Sequence, residues 1–136
     1  MYIDNIISEL VKKYKTNDPF QIAKEKGIVI LYQDLGNTYG YYRSYKRMPI
    51  IHINNSLDEK DQKFTCCHEL AHATLHPYIN TTFLKKNTFF SVDKIEVEAN
   101  YFATHLLLYN QDFENCETKI DILRENGIPY EMERFL

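Results

Sequence analysis

Apolar residues recur at helical spacing in the first part of the chain. They fall on one side of a helical wheel over about residues 2–14, at Ile3, Ile6, Ile7, Leu10 and Val11. This spacing predicts an amphipathic helix that buries one face. A second, shorter helix is predicted over residues 18–26, with Asp18 as its N-cap and Gly27 as its C-terminal stop.

After Gly27 the pattern changes to short apolar and β-branched runs. Residues 28–32 predict one strand, and the segments "GNTYGYYRSY" and "MPIIHIN" predict two more, joined in a hairpin by a turn near Lys46 and Arg47. The expected result is a small three-stranded sheet. We expect the strand at residues 48–53 to be its exposed edge, where an extended peptide could pair by β-augmentation.

The second half of the chain is again helical. A long helix follows in "NSLDEKDQKFTCCHELAHATLH", where Ser56 can act as N-cap with Glu59 completing a capping box. The next helix opens at Ser91 or Asp93, and its apolar stripe is formed by Ile95, Ala99, Phe102, Leu106 and Tyr109. A last helix, around residues 116–126, stops at Gly127. These elements predict an α+β fold, with a three-stranded sheet packed against about five helices in one domain over residues 1–136.

Composition narrows the class of protein. The chain has 136 residues, of which 44% are hydrophobic, so it can bury a substantial core. Its net charge of -3 disfavours direct nucleic-acid binding, and we expect no membrane span or signal peptide. Three cysteines, Cys66, Cys67 and Cys116, form no disulfide framework, which favours a reducing cytoplasm. We expect the adjacent pair Cys66 and Cys67 to pack in the core.

The stretch "CCHELAHATLH" places His68, Glu69 and His72 in a helix that its neighbours predict to be buried. Residues four apart share a helix face, so His68 and His72 present two imidazoles that can bind one Zn²⁺. Glu69 is offset around the helix and can reach a water on the metal, which is the H-E-x-x-H arrangement. The alternative is an ordinary buried helix whose two histidines have hydrogen-bond partners.

A catalytic zinc ion requires a third protein ligand. The next helix offers Glu96 and Glu98 within "DKIEVEANYFATHLLL". Glu96 lies at the margin of the buried stripe with Asn100 one turn away, whereas Glu98 lies on a more polar side. We therefore predict Glu96 as the third ligand, held by a hydrogen bond from the neighbouring amide, with Glu98 as the alternative ligand. Either glutamate could instead lie on a solvated helix face, which suits Glu98 better than Glu96.

The remaining histidines have other predicted roles. His76 continues the series of His68 and His72, but a straight helix cannot bring all three to one ion. We expect His76 to interact with the carbonyl groups at the end of its helix. His52 in a strand and His105 on a helix flank are predicted to be structural, although His105 could line the cleft.

Together, the "HIN" strand end, "HELAHATLH" and the later "EVEANYFATHLLL" resemble the ImmA/IrrE family of zinc metallopeptidases, especially short members from phages and mobile elements. The resemblance covers about residues 25–110. It implies a small zincin-like α+β fold, zinc ligands at His68, His72 and Glu96, and Glu69 as the catalytic carboxylate. It also implies a protein substrate, typically a helix-turn-helix transcriptional repressor encoded nearby. Two departures are the residues Leu108 and Tyr109, where the family often has Met-Pro, and the lack of room for a DNA-binding domain.

These observations predict a zinc-dependent endopeptidase that hydrolyses a peptide bond in a regulatory protein. The alternative is a zinc-stabilised binding module that sequesters the regulator without cutting it. Two segments are candidates for recognition of the partner. One is the loop "HPYINTTFLKKNTFF", with Phe83, Phe89 and Phe90, whose aromatic rings could instead close the core. The other is the C-terminal "ENGIPYEMERFL", which docks the partner or packs on the sheet.

Overall fold

A computed structural model of the chain describes residues 1–80, 84–85, 89–111 and 118–136. The two predicted N-terminal helices are present, as α1 (Tyr2–Tyr14) and α2 (Pro19–Glu25). The predicted caps of α2 are confirmed, since the Asp18 carboxylate accepts a hydrogen bond from the backbone N–H of Phe20, and Gly27 adopts a left-handed φ of 77°. The inward face of α1 buries Ile3, Ile7 and Leu10.

The sheet contains the three predicted strands and one short addition. The strands are β1 (Val29–Gln33), β2 (Thr38–Tyr45), β3 (Met48–Asn54) and the two-residue β4 (Leu84–Lys85), in the order β1-β3-β2-β4. The predicted hairpin joins β2 to β3, and its two turn residues, Lys46 and Arg47, have φ values of 50° and 67°. Two consecutive positive φ angles are what a tight two-residue hairpin requires, because they match the twist of the strands.

The prediction that residues 48–53 form the edge of the sheet is wrong, because β3 is a central strand. It pairs in parallel with β1, where Val29 lies opposite Ile50, and antiparallel with β2, where Tyr42 lies opposite Ile51. After β1 the chain crosses to the other side of the position that β3 occupies and forms β2 there, so β1 and β2 lie on opposite sides of β3. The order of the strands in the sheet therefore differs from their order in the chain. In the described sheet the outer strands are β1 and β4.

The long helix α3 (Glu59–Leu75) lies between the sheet and the next helix. Its N-cap is Asp58, whose carboxylate accepts from the backbone N–H of Asp61 at 2.8 Å. The prediction of Ser56 as the cap is therefore wrong; Asn54 instead accepts from both the backbone N–H and the hydroxyl of Ser56. Every residue from Phe64 through His72 is buried, since the sheet covers one side of α3 and a helix covers the other. A helix that is covered on both sides is expected to be apolar all around and to have no polar face. Polar side chains in its buried stretch therefore need a specific structural or functional explanation.

The C-terminal half completes the core. It contains α4 (Lys94–Leu107), which packs against α3 and α1, then α5 (Lys119–Glu125) and a 3₁₀ helix (Tyr130–Phe135). The C-terminal segment packs against the body of the protein through Met132, which is fully buried. The predicted α+β class is confirmed. Cys116, Phe83 and the start predicted for the last helix lie outside the described residues.

Among the residues that the structure describes, no helix combines the length and apolar character needed to cross a membrane.

Candidate metal centre

His68 and His72 project from successive turns of α3 into the space between α3 and α4. Both side chains are buried, with exposed fractions of 0% and 1%. Their Nε2 atoms lie 3.2 Å apart, and their rings meet edge to face with centroids 4.9 Å apart. The i, i+4 spacing therefore brings the two imidazole nitrogens to one point, as the sequence predicts.

Glu96 reaches the same point from the first turn of α4. One carboxylate oxygen lies 2.8 Å from His72 Nε2, and the other lies 3.3 Å from His68 Nε2. One ligand atom from each of the three side chains falls within 4.8 Å of the others. Glu96 is thus the glutamate that the structure brings to the histidine pair, whereas Glu98 points to a different histidine.

The second ring nitrogen of each histidine also has a partner. His68 Nδ1 lies 2.8 Å from Asn100 Oδ1, and His72 Nδ1 lies 3.1 Å from His76 Nδ1. Asn100 is the amide expected beside Glu96, and its contact with His68 is one that the sequence analysis did not predict. These outer contacts hold both rings with Nε2 directed toward Glu96, the arrangement that metal-binding histidines require.

The electrostatics of the three groups are coupled. Burial lowers the pKa of His72 to about 4, which keeps this imidazole neutral. Burial also opposes protonation of His68, but the hydrogen bond to Glu96 and the charges of Glu69 and Glu96 outweigh it and raise the pKa of His68. Burial opposes the charge on Glu96, yet its close contacts with the two imidazoles hold the pKa of Glu96 well below its usual range. The site consequently favours the ionised form of Glu96.

Glu69 follows His68 on α3 and is 1% exposed. Successive residues of an α-helix are turned by about 100°, so Glu69 lies beside the ligand pair rather than in line with it. Its negative charge contributes to the raised pKa of His68, which shows that the two side chains influence each other electrostatically.

The cysteines beside the histidines do not join the cluster. Cys66 and Cys67 are fully buried, as predicted, and Cys67 Sγ lies 3.7 Å from the carbonyl oxygen of Ala103. Burial raises the pKa of both thiols, which disfavours their thiolate forms.

Two predictions about neighbouring residues are wrong. Glu98 is not on a solvated face; it is 8% exposed and lies 3.0 Å from His76 Nε2. His76 uses its ring to contact His72 and Glu98 rather than helix carbonyls. The signal available in the sequence was the recurrence of histidine at 68, 72 and 76, which places a third imidazole on the same face of α3.

The other two histidines have contacts away from this cluster. His52 is buried under Tyr41, with ring centroids 4.2 Å apart, and its Nε2 accepts from Arg43 Nε at 2.9 Å. His105 Nε2 lies 2.9 Å from the carbonyl oxygen of Phe135, and its ring packs on Tyr101. These contacts are those of structural residues.

The donor set of the cluster fits a single divalent metal ion. Two imidazole nitrogens and one carboxylate oxygen are the protein ligands of one class of mononuclear catalytic zinc sites. Two nitrogens that each lie ~2.0–2.1 Å from one tetrahedral zinc are separated by roughly 3.3 Å. The observed Nε2–Nε2 distance of 3.2 Å is close to that value. Fold and site together therefore describe a small α+β domain in which His68, His72 and Glu96 could hold one metal ion.

Comparison with known proteins agrees with this class. The family described as Peptidase M78, IrrE N-terminal-like domain, matches residues 23–135. The chain therefore belongs to this family, the ImmA/IrrE metallopeptidases, and the resemblance noted in the sequence is confirmed.

Two relatives place the chain within the family. It is 44% identical over 131 residues to "Uncharacterized immunity region protein 2" of Bacillus phage phi105, covering 93% of this chain and 83% of the phage protein. It is 33% identical over 108 residues to "Metallopeptidase ImmA" of Bacillus subtilis (strain 168), covering 78% of this chain and 63% of that protein. The alignment thus spans less than two thirds of the Bacillus subtilis protein.

Proposed function

We propose that the protein is a zinc-dependent endopeptidase in which His68, His72 and Glu96 bind the metal and Glu69 is the catalytic base. The observation that carries this proposal is the convergence of two buried imidazole Nε2 atoms, 3.2 Å apart, on one partly buried carboxylate. Asn100 Oδ1 accepts a hydrogen bond only from a protonated Nδ1, so a neutral His68 has its lone pair on Nε2. A lone pair and a carboxylate that face each other repel unless a proton or a metal ion lies between them.

The proposed chemistry is hydrolysis of a peptide bond. Zinc, when bound, would polarise the scissile carbonyl and lower the pKa of a bound water toward about 7. Glu69 would accept a proton from the attacking water and deliver it to the leaving amine. The position of Glu69, adjacent to His68 and beside the ligand pair rather than in line with it, suits a proton carrier rather than a fourth ligand.

We propose a helix-turn-helix transcriptional repressor of a phage or mobile element as the substrate, and the cytoplasm as the site of action. Support comes from the relative that is named for a phage immunity region and from the relative named a metallopeptidase. Direct binding of nucleic acid is disfavoured by the net charge of -3.

The substitution Glu69→Gln separates this proposal from sequestration without cleavage. It preserves the size of the side chain and removes the base, so zinc content and fold should persist while cleavage falls by at least two orders of magnitude. The assay is incubation with the repressor encoded beside the gene, followed by mass spectrometry. Cleavage by Glu69→Gln at the native rate would refute the role of Glu69. Binding of the repressor by both forms, with cleavage by neither, would favour a zinc-stabilised binding module.

A further inference from the structure

A line of hydrogen-bonding groups runs from His72 to the N-terminal helix. His72 Nδ1 lies 3.1 Å from His76 Nδ1, and His76 Nε2 lies 3.0 Å from one oxygen of Glu98. The hydroxyl of Tyr2, on α1, donates to the other oxygen of Glu98 at 2.5 Å. This line of hydrogen-bonding groups therefore links three helices, α3, α4 and α1, behind His72, one of the two histidines of the metal centre.

The chemistry of the groups sets the direction of these hydrogen bonds. An ionised carboxylate can only accept, so Glu98 accepts a hydrogen bond from the Tyr2 hydroxyl on one oxygen and from His76 Nε2 on the other. A neutral His76 that carries its proton on Nε2 has a lone pair on Nδ1. His72 must then donate from its own Nδ1, which leaves the lone pair of His72 on Nε2, the atom that faces Glu96.

We propose that His76 and Glu98 are positioning residues for the metal centre, which hold His72 in the tautomer and orientation that bind zinc, and that Tyr2 anchors Glu98 in this role. The inference rests on the zinc site proposed above. Neither residue needs to contact the metal or the substrate.

The burial of the line supports a positioning role. Glu98 is 8% exposed and His76 is 9% exposed, and a carboxylate removed from water in this way is costly unless it is hydrogen-bonded. Each carboxylate oxygen of Glu98 accepts a hydrogen bond, one from Tyr2 on α1 and the other from His76 at the end of α3. Glu98 acts on His72 through His76, because its carboxylate fixes the ring of His76 and that ring in turn fixes His72. His68 is instead backed directly by the neutral amide of Asn100.

The first test is zinc affinity of the full chain, measured by competition with a chelator of known affinity. His76→Phe and Glu98→Leu remove an acceptor from the line and should weaken zinc binding about 10- to 100-fold. Glu98→Gln retains an oxygen that can accept from His76, so it should recover most of the affinity lost in Glu98→Leu. Tyr2→Phe should have a smaller effect of the same sign.

The matched control is Tyr101→Phe. Tyr101 also joins α4 to α1 through its hydroxyl, which donates to Asp4 at 2.8 Å, but it does not contact Glu98 in the line described here. Tyr101→Phe should leave zinc affinity unchanged. Thermal unfolding of each metal-free variant identifies any that fails to fold; for such a variant, Glu98→Gln and Tyr2→Phe provide the comparison.

The second test reads the tautomer directly. Nitrogen-15 NMR of the histidines in the zinc-loaded chain should show His72 protonated on Nδ1 and His76 protonated on Nε2. If zinc binds and the variants of His76 and Glu98 bind it as tightly as the unaltered chain, the positioning role is wrong. A doubly protonated His76 would contradict it as well. Failure of the unaltered chain to bind zinc would instead overturn the proposed function, and this inference with it.

Discussion

Gly40 lies where β2 passes beneath α3, and its substitution by alanine should destabilise the protein strongly. A Cβ atom built at this position would lie 2.5 Å from the carbonyl oxygen of His52 and 2.7 Å from Cγ2 of Thr65. Both distances are shorter than real Cβ contacts, and the first involves backbone that no rotamer change can move. Thr65 lies one turn before His68, so the helix that bears the proposed metal ligands would have to shift away from the sheet.

The cost can be estimated from the overlap. Extra methyl groups in a packed core cost typically about 1–3 kcal/mol, and a clash with backbone on one side and a helix on the other belongs at the upper end. With an unfolding entropy of about 2.1 cal/mol/K per residue, a loss of about 3 kcal/mol lowers the melting temperature of a chain of this size by roughly 10 °C. Zinc affinity should fall as well, because the ligand geometry is disturbed.

The assay is thermal unfolding followed by circular dichroism, and Gly36→Ala is the control. Gly36 has a φ of 60° and nothing within 4 Å of its added Cβ, so alanine there incurs backbone strain without a clash. That strain is worth about 1–2 kcal/mol. If Gly40→Ala lowers the melting temperature no more than Gly36→Ala does, the close contact of β2 with α3 is wrong.

Two further predictions follow from the geometry of the site and its surroundings. His72→Ala should abolish stoichiometric zinc binding, and Glu96→Ala should weaken zinc binding more than Glu98→Ala does. Metal analysis after dialysis tests both expectations. If Glu98→Ala lost more zinc than Glu96→Ala, Glu96 would not belong to the ligand set. Phe89 is 3% exposed and packs edge to face against Tyr39 and Phe64, whereas Phe90 is 62% exposed. Phe89→Ala should therefore cost about 3–5 kcal/mol of stability, while Phe90→Ala should keep the melting temperature within about 2 °C of that of the unaltered chain. Phe90→Ala should affect only repressor binding, measured in a pull-down. Equal melting temperatures for the two variants would contradict the burial of Phe89.

Local patterns predicted the parts of the fold that depend on neighbouring residues. The hairpin follows from two short runs and a turn, and the caps of α2 follow from Asp18 and Gly27. The order of strands was not predictable in this way, because the parallel pairing of β1 with β3 depends on how the chain crosses the sheet. At the start of α3, the prediction of Ser56 failed because Asn54 satisfies that serine and leaves Asp58 to cap the helix.

In the candidate site, too, local sequence patterns predict some residues and not others. His68, Glu69 and His72 are predictable because their spacing lies within one helix, and Glu96 is predictable from its place at the margin of an apolar stripe. The burial of Glu98 depends on Tyr2, which is 96 residues away in the chain, so no local pattern indicates it. The assignment of these residues as metal ligands, and of residues 1–136 as a single domain, stays a prediction.

The most direct test of the proposed activity is hydrolysis of the proposed repressor substrate by the zinc-loaded chain, followed by intact-mass spectrometry. We expect two fragments whose masses sum to that of the repressor plus one water. Their formation should stop when a chelator removes the metal and resume when one equivalent of zinc is restored. An intact repressor after incubation with the chain that has bound zinc, or cleavage that persists after the metal is removed, would contradict the proposal of a zinc endopeptidase.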